Sequence, residues 1–203
     1  RNNLREATRL LKDAKFDIRD RKLIDPAGKP VIVEILLRDP SSERIALFYK
    51  PSLERLGITV NVRNVDDVQY QNRLRSFDFD IITDMWGQSL SPGNEQRDFW
   101  GSAAADQPGS QNTIGIKNPA VDALIDQIIF AKDRATLVAA TRALDRVLLW
   151  NFYVVPQFTY GFVRNARWDR FSHAEPLPKY GVSGLPSLWW YDDAKAATIG
   201  RRS

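Results

Sequence analysis

Three apolar, β-branched runs, "VIVEILLR" (31–38), "ITVNVRNV" (58–65) and "FDIITDMW" (79–86), are separated by segments long enough to hold a helix each. A hairpin needs only a short turn between strands, whereas parallel strands need a crossover of roughly a dozen residues or more. The spacing therefore predicts strand–helix–strand–helix–strand, with right-handed parallel connections and helices on both faces of the sheet. "VIVEILLR" is apolar on both faces, as a buried parallel strand must be. In the second run Ile58, Val60 and Val62 face one way. The predicted fold class is α/β, a mostly parallel sheet flanked by helices.

The intervening segments carry helix signals. "NNLREATRLLKDAKF" aligns Leu4, Ala7, Leu10, Leu11 and Ala14 on one face, with Asn3 and Glu6 spaced as a capping box. "DPAGKP" (25–30) is a dense turn signal. Asp39 and Pro40 fit the cap and first turn of a helix through Leu56 that Gly57 ends, and Pro51 inside it predicts a kink or a split. Asp66 and Gln69 begin a short helix carrying Val68, Tyr70 and Leu74. Asn118 and Pro119 start a helix whose apolar side is Val121, Leu124, Ile125, Ile128 and Ile129. Asp133 caps a longer one to about Trp150, with Leu137, Leu144, Val147 and Leu148 inward. "FYVVPQF" reads as a returning strand interrupted by Pro156, and the remainder has no strong period.

In an open α/β sheet, ligands sit beyond the carboxyl ends of the strands, where strand order reverses. The first and third strands are natural neighbours, and their carboxyl ends are residues 38–39 and 84–89. There the third strand runs through Asp84 into Trp86, Gly87, Gln88 and Ser89, followed by Ser91, Asn94 and Gln96. A turn needs the Pro92 and Gly93 that follow, but it does not need an indole. Trp86 at this place is the candidate apolar platform, with Gln88, Ser89 and the Gly87 backbone offering hydrogen bonds. Trp150, Trp168, Trp189 and Trp190 read as packing residues, and "SLWWY" (187–191) as a patch that covers another part of a longer protein.

Other chemistries fail on their own requirements. Asp80 and Asp84 share a strand face but lie about 13 Å apart along it, too far to share an ion. The single histidine, His173, stands in a loop without a triad around it. "AGKP" has no first glycine and no Ser or Thr after Lys29 for a phosphate loop. No cofactor or metal is indicated, and no enzyme. Net charge is +4, from 29 basic and 25 acidic residues interleaved along helix faces, which argues against nucleic acid. There are no cysteines, so disulfides and thiolate sites are excluded. No apolar run reaches the roughly 20 residues of a membrane span. The chain opens at Arg1 directly into a helix and is read as a piece of something longer.

The ordered set of segments resembles the carboxyl-terminal half of an extracellular solute-binding protein of the peptide/nickel family, the type II binding proteins that feed ABC importers. "REATRLLKDAKF" resembles the family's lysine-rich first helix of this half, and "LIDPAGKPVIVEILL" its hairpin and first strand. "LERLGITVNVRNVDDVQYQNRLRSFDFDII" resembles the family's most typical stretch. "NPAVDALIDQIIFAKDRATLVAATRALDRVLL" with "VVPQF" resembles its last helices and recrossing strand. "MWGQSLSPGNEQRDFWGS" is similar to the YejA-like oligopeptide-binding branch. The resemblance implies a type II periplasmic-binding lobe at 1–155 and a hinge-recrossing C-terminal segment at 156–203 that packs on the other lobe. It implies a periplasmic or extracellular, membrane-associated protein. Its partners would be a peptide or small solute, the N-terminal lobe of the same protein and the membrane subunits of an ABC importer.

The ligand-binding residues it implies are Trp86, Gly87, Gln88, Ser89, Asp84 and Arg38, the last able to pair with a ligand carboxylate or to form an interlobe or surface ion pair. Better-known members place an Asp about three residues after the Trp for the ligand's ammonium. Ser89 stands there in this chain, and a neutral hydroxyl cannot hold an ammonium as a carboxylate does. Either another acid such as Asp84 substitutes, or the amino terminus is not the anchor. The competing readings are a ligand-sensing domain of the same fold in a regulatory protein, an enzyme using Asp80 or Asp84, and a purely structural interaction domain.

Overall fold

The structure is a computed structural model and describes residues 2–157, 161, 164, 166–177 and 187–199. The chain divides into two compact units, Arg1–Tyr153 and Val154–Ser203.

The first unit opens with helix α1 (Asn2–Asp13), none of whose residues is fully buried. Asn3 already lies inside the helix, and Glu6 pairs with Arg9 at 2.6 Å. The expected capping box therefore does not form: the guanidinium, which also reaches Asp13 at 2.6 Å, outcompetes a neutral backbone donor for the carboxylate. Strands β1 (Asp17–Arg19) and β2 (Lys22–Ile24) form an antiparallel hairpin. Its two turn residues, Asp20 and Arg21, both have positive φ, the geometry whose twist suits a two-residue hairpin.

Strand β3 (Ile32–Leu37) is the centre of the sheet. It is followed by helix α2 (Pro40–Glu54), strand β4 (Thr59–Asn64), helix α3 (Asp67–Arg75) and strand β5 (Ile81–Ile82). The order is β4-β3-β5 and both pairings are parallel, as the crossover lengths require. Ile35, Leu36 and Leu37 are all buried, so the carboxyl half of β3 is covered on both faces. Asp39 caps α2 by accepting the Ser42 N–H at 2.9 Å, and Pro40 fills the first turn. Pro51 does not split this helix, which is continuous to Glu54.

Gly57 then takes φ 84°, and a Cβ there would lie 2.7 Å from the Leu23 nitrogen. The close approach lets the Gly57 carbonyl accept the Leu23 N–H at 2.7 Å, tying the hairpin to the start of β4. The third strand is far shorter than the sequence predicts. Its neighbour Asp80 uses a side-chain oxygen to accept the Glu34 N–H at 2.8 Å, where a ladder would use a backbone carbonyl.

Beyond β5 the unit becomes helical: α4 (Glu95–Trp100), a 3-10 turn at Ser102–Ala104, α5 (Pro119–Ile129) and α6 (Arg134–Trp150). Asn118 and Asp133 cap α5 and α6 through their side-chain oxygens. Two clusters form the core. Ile35, Leu37, Ala46 and Val60 pack between the sheet and α2. Phe99, Trp100, Ile116, Val121, Ile125, Ile128, Ala140 and Leu144 pack between the helices. Every apolar position expected on α5 and α6 faces this second cluster, fully or partly buried.

In the second unit, β6 (Phe171–His173) and β7 (Trp189–Tyr191) pair antiparallel and α7 (Asp193–Ile199) follows. The expected returning strand at "FYVVPQF" is not formed over 152–157, and Phe158 lies outside the described residues. Phe152 has φ 54°, which breaks an extended run, and Pro156 has no N–H to give a ladder.

Candidate functional site

β3 and β5 deliver two chain exits to one corner of the sheet. Leu36 pairs with Ile82, and Arg38 and Asp84 each lie two residues further along their chains. Both side chains are exposed. They meet electrostatically at the buried Tyr70 of α3. The Arg38 guanidinium lies 5.5 Å from the Tyr70 ring centroid. Burial pushes the Tyr70 hydroxyl up from its ordinary pKa of 10.0, the Asp84 and Asp39 charges add to that, and Arg38 opposes it. Asp84 itself accepts the Met85 N–H at 2.8 Å and the Thr113 hydroxyl at 3.1 Å, which fixes its carboxylate at the mouth of the corner.

From Asp84 the chain leaves the sheet, and Trp86 turns its ring toward the helical cluster. The ring is half-buried, with its centroid 4.9 Å from that of Trp100 at an interplanar angle of 47°. Its Nε1 donates to the Gln111 carbonyl at 3.1 Å. The indole is thus held by one edge, with part of its surface accessible and its single donor already used.

Gly87 is exposed, and nothing lies within 4 Å of where a Cβ would stand, so neither crowding nor a positive φ demands glycine there. Gln88 is exposed and its Oε1 accepts the Gln96 Nε2–H at 2.8 Å. The Ser89 hydroxyl oxygen accepts the Ser91 N–H at 3.2 Å.

The structure adds residues beyond those expected to bind ligand. Gln96 is buried, accepts the Trp100 Nε1–H at 3.0 Å and donates to Gln88. Asn112 is wholly buried, donates to the Gly101 and Ile116 carbonyls at 3.0 Å each and accepts the Ile116 N–H at 2.9 Å. This pins the loop that carries the Gln111 carbonyl and Thr113. The i, i+4 spacing of Gln96 and Trp100 on a helix is the one local signal for the first pair.

A separate concavity of about 970 Å³ is lined by Arg63, Asp66, Val68, Gln69, Asn72, Arg73 and Asp78, at the edge strand β4 and helix α3. None of the residues expected to bind ligand lines it. Arg73 there is engaged by Glu34 at 2.6 Å and by Asp78 at 2.8 Å, so its charge serves the fold.

Residues 1–108 match the family model of bacterial extracellular solute-binding proteins, family 5. A probable peptide-binding protein, YejA, from Agrobacterium fabrum is 51% identical over 94% of this chain. This chain belongs to that family. It spans about a third of the length of the curated relatives it matches: 31% of the Agrobacterium fabrum YejA, and 33% of an uncharacterized YejA from Escherichia coli that is 36% identical over 98% of this chain. A peptidoglycan-binding protein, YepA, from Agrobacterium fabrum is 38% identical over 95% of the chain and is covered to 31% of its own length.

Among solved structures, the oligopeptide-binding protein AppA from Bacillus subtilis, in complex with a nonapeptide, superposes with a TM-score of 0.66 at 20% identity. That match covers 73% of this chain and 30% of AppA. A Thermotoga maritima periplasmic oligopeptide-binding protein with bound mannohexaose gives 0.65 at 23% identity, over 75% of this chain and 30% of its own. At such identities these likenesses establish the fold, that of the type II binding proteins. The two Agrobacterium fabrum relatives are named as binding proteins. Among the described residues no helix is long and apolar enough to cross a membrane.

Proposed function

We propose that this chain supplies one face of an interlobe cleft that captures an oligopeptide for ABC importer-mediated uptake, in the periplasm or at the outer face of a membrane. The observation that carries it is the half-buried Trp86, fixed at the open carboxyl corner of a parallel sheet with Gln88, Ser89 and Asp84 beside it. In this reading residues 1–155 form the second lobe. The segment 156–203 crosses the hinge and packs on an N-terminal lobe supplied by the longer protein. Ligand holds the two lobes together by touching both faces, and so stabilises the closed form in proportion to its differential affinity.

The chemistry suits an extended peptide. Trp86 offers a ring face that accepts any side chain, and amides and hydroxyls meet the main chain, which gives affinity without strict sequence preference. Arg38 at the same corner pairs with a ligand carboxylate. The relatives named as peptide-binding and peptidoglycan-binding support a ligand rich in amide groups.

The test is calorimetric titration of the full-length protein with tetra-alanine. Trp86→Ala is expected to weaken binding by about tenfold or more, the scale of a buried aromatic anchor. Unchanged affinity would remove Trp86 from the cleft and favour a structural role for the corner. The 203-residue chain alone, with one face of the cleft, is expected to show no micromolar binding.

A further inference from the structure

We propose that Gln88 presents its side-chain NH₂ to the ligand, held in that orientation by the buried Gln96, so that this face of the site selects hydrogen-bond acceptors, the carbonyl and carboxylate oxygens of a peptide. The inference rests on the cleft reading above and names the ligand groups it recognises.

The polarity of the amides follows from a donor that has no alternative. An indole N–H can donate and never accept. Trp100 Nε1 lies 3.0 Å from one terminal atom of Gln96, so that atom is the oxygen and the other is the NH₂. The NH₂ in turn lies 2.8 Å from a terminal atom of Gln88, which must then be an acceptor oxygen. The Gln88 NH₂ is left on the far side of its own amide, directed away from Gln96. A second constraint agrees independently. The Gln96 NH₂ also lies 3.2 Å from Glu95 Oε1, a carboxylate oxygen that can only accept when ionised, and that oxygen is held by the Gly93 N–H at 2.8 Å. Partial burial would raise the Glu95 carboxyl, yet the bonds from Gly93, its own backbone N–H and Gln96 outweigh it and keep the group below its ordinary pKa, so it stays an acceptor at neutral pH.

Position along the relay decides the roles. Gln96 is 3% exposed, so no water competes for its amide and a flip would set like against like at both ends, donor to indole and oxygen to carboxylate. Gln88 is exposed, so its free NH₂ meets whatever occupies the corner. Beside it, Trp86 has spent its only donor on Gln111 and offers no hydrogen bond of its own. Gln96 is a positioning residue, and Gln88 is the group that touches ligand.

Two arms test this in the full-length protein. Without ligand, the side-chain NH₂ protons of Gln96 should exchange slowly with water and those of Gln88 rapidly, read by NMR on glutamine labelled with nitrogen-15. Slow exchange at Gln88 would show its NH₂ turned inward and overturn the proposal. With tetra-alanine as probe, Gln88→Glu keeps the acceptor for Gln96 but turns a carboxylate oxygen to the ligand. It should weaken binding by roughly tenfold or more, and Gln88→Met, which removes the donor without repulsion, by less. Equal binding by wild type and Gln88→Glu would overturn the proposal. Gln96→Met should weaken binding clearly when Gln88 is present and hardly at all in a Gln88→Met background, because it acts through Gln88; an equal loss in both backgrounds makes Gln96 merely structural and overturns its role. If wild type itself ignores tetra-alanine, the oligopeptide reading fails, and the exchange arm still decides the relay.

Discussion

The sheet half and the helical half of the first unit are held together by different means. Around β3 the cluster Ile35, Leu37, Ala46 and Val60 contains nothing larger than leucine. Definition there comes from the backbone: parallel registers, the Asp39 and Asp66 caps, and the tight approach of Gly57 to Leu23. In the helical half the cluster includes Phe99 and Trp100, and buried amides, Gln96 and Asn112, satisfy groups that large side chains leave stranded. Trp86 belongs to both. Its backbone follows β5, while its ring lies against Trp100. The candidate site is therefore a joint, aimed by the sheet and anchored by the helices.

The largest test of this contrast is Leu144→Ala. Leu144 is 3% exposed at the centre of the helical cluster, and truncation should cost about 2–5 kcal/mol, measured by urea unfolding of the chain. Hydrogen exchange should then speed up chiefly in α4, α5 and α6. An equal loss of protection in β3 would show one cooperative unit and break the comparison. Next comes Asn112→Ala, which strands the Gly101 and Ile116 carbonyls and the Ile116 N–H together. It should cost about 3 kcal/mol and loosen the Gln111 carbonyl that holds Trp86, a change readable in the environment of the Trp86 indole proton.

On the sheet side, Gly57→Ala should cost about 2 kcal/mol, since a left-handed conformation is unfavourable for an L-residue and its Cβ would press on the Leu23 backbone. Its effect should appear in the β1–β2 hairpin and leave the Trp86 indole signal where it is. A shift of that signal would mean the hairpin and the site are coupled through β3.

The same contrast explains what the sequence made legible. The sheet half is written in local signals. Three apolar runs, their spacing, and Asp39, Pro40, Asp66 and Gly57 are readable because period, capping and φ preferences act within a few residues. The apolar faces of α5 and α6 were readable for the same reason. The joint was readable only in position. That Trp86 lies at the sheet's corner follows from strand order, but its hydrogen bond to Gln111 and its ring contact with Trp100 join residues far apart in sequence. A buried Gln96 looks like any surface glutamine by residue type, since that amide is buried only because an indole and a second amide satisfy it. Helix α4 is too short for a period to show. β5 is shorter than its apolar run at both ends: before it Asp80 replaces a ladder bond with its own carboxylate, a choice no hydrophobic pattern records, and after it Thr83 to Trp86 leave the sheet.

The smallest effect, and the one that separates the halves by pH, concerns two caps. Asp39 begins α2 on the sheet side, and hydrogen bonds from the Ser41 and Ser42 hydroxyls and the Ser42 N–H hold its carboxyl down at about 2, from an ordinary 3.8. Asp133 begins α6 on the helical side and is also lowered, by the Thr136 N–H first and then the Thr136 hydroxyl. A carboxyl whose pKa is depressed on folding contributes stability that is complete above its unfolded value, near pH 4, and lost as pH falls through its folded value, near pH 2 for Asp39. Asp39→Asn keeps a capping oxygen but cannot titrate. It should flatten the acid limb of the stability curve between pH 4 and 2, with little change at pH 7, when urea midpoints are compared across that range. Asp133→Asn should flatten it less, because three donors converge on the Asp39 carboxylate from two serines while Asp133 depends chiefly on one threonine. If the two variants trace the same curve, the sheet side has no special reliance on its capping charges, and the division between a backbone-defined half and a side-chain-defined half fails at its most exposed point.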